Sequence, residues 1–405
     1  MHFYSLITLI FFTVFSFGGE KPLKVFILAG QSNMEGHAKS RVIDHMKEDP
    51  VAFELHKEIK DASGNFKMIK DTWISFLTGE KGRLDTKNHE VHGQLTVGYG
   101  TQWGRDYNKP GDALGPELGF GITIQKYYGQ PVLIIKTAWG GQSLYNDFRS
   151  PSSGEYPRTE HNKGNFETPE KAAKTIAATG ARYRQMIDHV KSVLGDIKRV
   201  YPEYSGQGFE LAGFAWFQGW NDMVDGGAYP ERHKPGGFAE YTRLMANFIK
   251  DVRKDLKTPN LPFAIGVMGV GGEKDIKGAQ LHFREAMAAP EKMSEFKGNV
   301  KAVNTAKFWD YDLEALEKKD NEVYQKSYFL RIKHKNHENA DGKMSKEEQR
   351  RHIEEYRRKL FTEADLELEK KGKSNAGYHY QGSAKIYSLI GKSLAEAIIE
   401  ISKNK

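Results

Sequence analysis

The chain has 405 residues, 39% of them hydrophobic and 28% charged, enough for one large α/β domain or two smaller ones of ordinary soluble composition. It contains no cysteine, which excludes disulfides, thiol catalysis, cysteine-based metal sites and a lipid-modified cysteine. The net charge of +7 is spread widely with no basic stripe interleaved with aromatics, so no nucleic-acid partner is expected, while a polyanionic polysaccharide stays compatible.

Leu6–Phe17 (LITLIFFTVFSF) is an apolar run of signal-peptide length followed by Gly18 and Gly19. Ser16 and Gly18 suit the two small-residue positions before a cleavage site, so 1–18 is expected to be a signal peptide and 19–405 the mature, secreted or periplasmic chain. The competing reading is a buried N-terminal element, since His2 is the only basic group ahead of the run. Beyond this segment nothing is long and apolar enough to span a bilayer, so no membrane anchor is expected after cleavage.

Short apolar runs then alternate with helical patterns. Val25–Ala29, Val132–Ile135, Phe209–Phe217, Phe263–Met268 and Val300–Val303 read as buried strands without polar alternation. Pro116–Tyr128, Pro169–Leu194, Phe238–Leu256, Asp275–Ala288 and Ser383–Ile401 read as helices. The alternation predicts a three-layer α/β/α sandwich with a mostly parallel sheet, whose active site lies beyond the carboxyl ends of the strands. Two stretches break the rhythm. Residues 36–111 read as a long active-site excursion within a single domain, and residues 310–374 as a charged, solvated helical insertion or lid.

Four segments at strand ends or before the last helix carry polar groups suited to chemistry. Gly30-Gln31-Ser32-Asn33-Met34 puts a serine where the first strand turns into the crevice; a Ser capping the following helix is the alternative. Ala138-Trp139-Gly140-Gly141-Gln142-Ser143-Leu144 has paired glycines that let backbone approach a ligand, or simply make a turn. Trp216-Phe217-Gln218-Gly219-Trp220-Asn221-Asp222 offers side-chain amides fit for an oxyanion hole, or a polar turn satisfying its own backbone. Gly377-Tyr378-His379-Tyr380 places a histidine before the final helix, as a base or as a structural histidine.

Together these segments resemble the consensus blocks of the SGNH (GDSL-like) hydrolases, and more narrowly the sialate O-acetylesterase-like carbohydrate esterases. The resemblance covers about residues 22–310 and 375–403. It implies a flavodoxin-like SGNH fold and a carbohydrate O-acetylesterase that hydrolyses acetyl esters on a poly- or oligosaccharide through a serine acyl-enzyme. Ser32 would attack the ester carbonyl and His379 would take its proton. The oxyanion would be held by the amides of Ser32 and Gly140 or Gly141, with Asn221 or Gln218. Gln31, Trp139, Gln142 and Trp220 would contact substrate, and neither metal nor organic cofactor is needed. The family usually carries Asp three residues before the histidine, where this chain has Ala376, with Asn375 beside it. The residue orienting His379 is then open: Asp222, a backbone carbonyl, or none in a Ser–His dyad. That departure also leaves room for a non-catalytic carbohydrate-binding protein on the same fold, or for an esterase of other small acyl esters.

Two further readings concern surface groups. Tyr99, Trp103, Tyr107, Trp139 and Trp220 would make a sugar-stacking platform, or belong to the core. His337–Glu348 follows an EF-hand loop at Asn339, Asp341, Gly342 and Glu348, but His337 replaces the first Asp. A helix–turn–helix with a glycine turn is the expectation there, with calcium-dependent carbohydrate binding as the rival.

Overall fold

Apolar runs without polar alternation need cover on both faces. In the computed structural model they receive it from helices. The structure describes residues 21–79, 87–101 and 109–403. The expected signal segment 1–18, Trp103 and Tyr107 lie outside the described residues.

The strands are β1 (Leu23–Gly30), β2 (Ala38–Lys39), β3 (Thr72–Gly79), β4 (Asn88–Gln94), β5 (Ala113–Leu114), β6 (Val132–Ala138), β7 (Phe209–Phe217), β8 (Phe263–Val267) and β9 (Val300–Asn304). Seven form one sheet in the order β4-β3-β6-β1-β7-β8-β9, parallel apart from β4, which runs antiparallel to β3. β2 and β5 pair as a separate antiparallel ribbon. Successive strand residues point to opposite faces. On β7, Gly213 meets Ile398 of the helix Ala384–Lys403, while Phe214 packs 6.0 Å from Phe248 of the helix Ala239–Asp255. The two helices therefore cover opposite faces, and the fold is the expected three-layer α/β/α sandwich.

The final helix also packs against Pro116–Tyr128, and glycines set the distance. A Cβ on Gly119 would run into the carbonyl of Ser388, and one on Gly391 into the carbonyl of Pro116. This close crossing fixes where the last helix begins, and with it the loop that carries His379.

Two expectations change in detail, and a third gains detail. The stretch 36–111 is not wholly an excursion, because β3 and β4 within it extend the central sheet. The single helix expected over Pro169–Leu194 is two, Pro169–Ala178 and Ala181–Gly195, broken where Gly180 takes a left-handed φ of 69°. The insertion is helical over Tyr311–Arg331, Lys346–Leu360 and Glu363–Gly372, with its own small core of Leu313, Leu316 and Phe361. Its EF-hand-like spacing forms a helix–turn–helix: the Glu348 carboxylate accepts the Ser345 amide in a capping box, and Asp341 pairs with Lys343.

Candidate active site

The chain runs from β1 outward to β3, returns to β6 beside β1, then crosses to β7 on the other side. β1 is thus the topological switch point, and its carboxyl end opens the crevice where such sheets bind ligands. Gly30 ends β1 against Phe217, whose carbonyl a Cβ would strike. Gln31 follows, and Ser32 opens the short helix Ser32–Glu35.

Gln31 is a buried brace. Its Oε1 accepts the Gly219 amide at 2.9 Å and Gln218 Nε2 at 3.1 Å. A backbone N–H can only donate, so the oxygen of this carboxamide must face Gly219. Its Nε2 is thereby turned onto Asn221 Oδ1 at 2.8 Å. That leaves Asn221 Nδ2, a donor, with no partner among the described residues. The amides of Gly140 and Gly141 also donate to nothing among the described residues. Gly141 needs its left-handed φ of 73°, since open space surrounds its missing Cβ.

Several expected site residues have other work. Gln218 gives Nε2 to Asp222 Oδ2, Gln142 O and Gln31 Oε1, so it stands behind the crevice and has no donor for an oxyanion. Asp222 is fully buried and accepts from Leu144 N, Tyr145 N, Gln218 Nε2 and Tyr229 Oη; it ties the second block to the third and does not meet His379. Burial pushes its pKa up to about 6 against those bonds. Gln142 is held by Arg182 Nε and the Gly140 carbonyl. Trp139 is buried under Arg182, with its indole N–H on Asn88, and Tyr99 is buried too. Gln31, Gln142 and Trp139 are therefore all buried and engaged by protein groups. Trp220 is half-buried and lies 5.8 Å from Tyr378, which is 45% exposed.

His379 sits in the loop before the last helix, within reach of the serine helix. Asn33 bridges the two: its Nδ2 donates to the Tyr378 carbonyl at 3.1 Å, and its Oδ1 accepts Tyr387 Oη at 2.8 Å. Tyr380 and Gln381 take left-handed φ values of 50° and 53°, a strained turn directly after His379. The Gln381 carbonyl accepts the amides of Ser374 and Asn375, closing the loop on itself. From the insertion, Glu317 Oε1 accepts the Gly377 amide at 2.7 Å. The insertion thus props the histidine loop.

The His379 ring stacks on His37, with centroids 3.9 Å apart and planes 5° from parallel. Its Nδ1 lies 3.1 Å from Asn375 Oδ1. Burial, with His37 beside it, pushes its pKa down to about 3, so the ring is neutral across ordinary pH. Neither Ser32 Oγ nor His379 Nε2 has a hydrogen-bond partner among the described residues, a looseness common in unliganded sites. Sequence reasoning quoted Asn33, Asn375 and Tyr378 without giving them a role, and did not single out His37, three residues past Met34.

A three-layer sheet with serine, histidine and a free carboxamide donor at its switch point is the frame of a hydrolytic enzyme. The family model described as "Carbohydrate esterase, sialic acid-specific acetylesterase" matches residues 22–320. The chain belongs to that carbohydrate esterase family, whose members are hydrolases acting on esters. Among solved structures, it is similar to a protein from Arabidopsis thaliana at 18% identity and a TM-score of 0.35, over 70% of this chain and 86% of that one. It is likewise similar to a carbohydrate acetylesterase from Xanthomonas citri at 16% identity and a TM-score of 0.35, over 65% of this chain and 47% of that one. Comparison with curated proteins gave no match.

Proposed function

We propose that the protein is an exported carbohydrate O-acetylesterase acting through a Ser32 acyl-enzyme. The observation that carries this reading is the Asn221 amide, turned by Gln31 so that a donor is left without a partner among the described residues at the serine's strand end. Ser32 Oγ attacks the acetyl carbonyl as its proton passes to His379 Nε2. The oxyanion is held by Asn221 Nδ2 with the amides of Ser32 and Gly141. The sugar hydroxyl leaves with the proton from His379, and water then releases acetate by the same route in reverse. Trp220 and Tyr378 form a rim suited to a sugar ring. The apolar segment Leu6–Phe17 supports export.

Acetate release from acetylated xylan, pectin, sialic acid and algal polysaccharides tests the substrate class. Rates on aryl esters should collapse between acetyl and butyryl; equal rates on long acyl chains would reassign the enzyme. A non-catalytic carbohydrate binder is favoured by one observation, the lack of a bond between Ser32 Oγ and His379. Ser32→Ala separates the readings, because unchanged acetate release would end the acyl-enzyme mechanism.

A further inference from the structure

The oxygen of Asn375 accepts the Ala376 amide at 2.8 Å as well as facing His379 Nδ1 at 3.1 Å. The first contact identifies the atom: a backbone N–H donates, so the side-chain atom it meets is the carbonyl oxygen. The second contact then has one consistent solution. An oxygen facing Nδ1 requires a proton there, so Nε2 carries the lone pair. That is the tautomer a general base needs toward a serine.

We infer that Asn375 is the positioning residue of His379, an uncharged carboxamide one residue before Ala376, which occupies the position of the expected Asp. This rests on the Ser32–His379 reading and deepens it. The usual weakness of Asn in such a place is that its amide can rotate and present nitrogen to the ring, selecting the wrong tautomer. Here rotation would set Nδ2 against the Ala376 N–H, two donors face to face. The Asn375 backbone is fixed as well, since its amide donates to the Gln381 carbonyl at 3.0 Å. Asp222, the acid in the quoted motifs, is occupied by four donors elsewhere.

The groups facing His379 agree with an uncharged partner. His37 covers one ring face, and Glu35 lies behind it, 3.7 Å from His37 Nε2. Tyr378 meets the ring edge-on, and Glu317 is engaged with the Gly377 amide. None of these puts a carboxylate on Nδ1, so imidazolium formation gains no direct counter-charge.

The test uses the full mature chain with histidine labelled with nitrogen-15, and Asn375→Asp and Asn375→Ala. In the wild type, NMR should show the His379 proton on Nδ1; a proton on Nε2 would overturn the inference whatever the activity. Asn375→Asp keeps both hydrogen bonds and adds charge. It should retain or raise kcat and move the acid limb of kcat/KM upward by at least a pH unit. Asn375→Ala should mix the tautomers and lower kcat by about two to four orders of magnitude with KM little changed. An unchanged kcat and pH profile in both variants would refute the role. Ser32→Ala with full activity and a Nδ1 proton would instead remove the nucleophile reading and leave the orientation of His379 standing.

Discussion

Lys136 is wholly buried near the carboxyl end of β6, and its ammonium donates to Glu35 O at 2.8 Å, Tyr99 O at 2.7 Å and Glu117 Oε2 at 2.7 Å. Burial lowers its pKa, and the Glu117 carboxylate opposes that shift. The Glu35 carbonyl belongs to the helix that starts at Ser32, so this cation supports the floor of the crevice. Lys136→Met keeps the apolar stem but strands the Glu117 carboxylate with only the Gly115 amide, and leaves two carbonyls without a donor. Breaking a buried pair from one side costs about 3–5 kcal/mol. Adding Glu117→Gln removes the stranded charge while keeping an acceptor for Gly115, so the double variant should recover about 1–3 kcal/mol of that loss. Urea denaturation followed by circular dichroism measures both. A single variant within about 1 kcal/mol of wild type, or a double variant no better than the single, would refute the account.

Gln31→Glu still accepts from Gly219 but turns a second oxygen onto Asn221 Oδ1, forcing that amide to flip. Steady-state kinetics should show kcat lower by about 100- to 1000-fold with the fold retained by circular dichroism. Gly391→Ala gains about 1 kcal/mol in helix propensity, yet its Cβ meets the Pro116 carbonyl, so the melting temperature should fall and not rise. His379, held at about 3 in the fold against 6.5 in the unfolded chain, takes up its proton first in the unfolded state. Its contribution to stability is therefore complete above the unfolded value and declines as pH falls toward the folded one. In kcat/KM the same residue should give no acid limb above about pH 5, which a pH-rate profile checks.

The layered fold was legible because parallel strands covered on both faces must be apolar throughout, and Val25–Ala29 or Val132–Ile135 admit no other burial. β4 was not, because Asn88–Gln94 lies at the edge and buries little besides Val91, so its residues carry no hydrophobic signal. The polar site divided the same way. Residue types near strand ends marked the region, but which amide faces substrate depends on contacts between segments far apart in the chain. Gln218 and Asn221 look equivalent as sequence. Only the saturation of Gln218 Nε2 by three acceptors separates them.

That separation follows from one physical constraint applied twice. A carboxamide looks nearly symmetric until a backbone N–H touches it, and then its polarity is decided. Gly219 decides Gln31, which decides Asn221, and the outcome is a donor without a partner among the described residues. Ala376 decides Asn375, which decides His379, and the outcome is an acceptor on Nε2. Acyl transfer needs one of each, a donor for the developing oxyanion and an acceptor for the nucleophile's proton. Both are set by amides of the main chain, which titrate nowhere near ordinary pH. The orientation of both carboxamides, and with it the tautomer of the neutral histidine, is therefore set without a titrating group, and it requires no carboxylate beside the histidine to hold it.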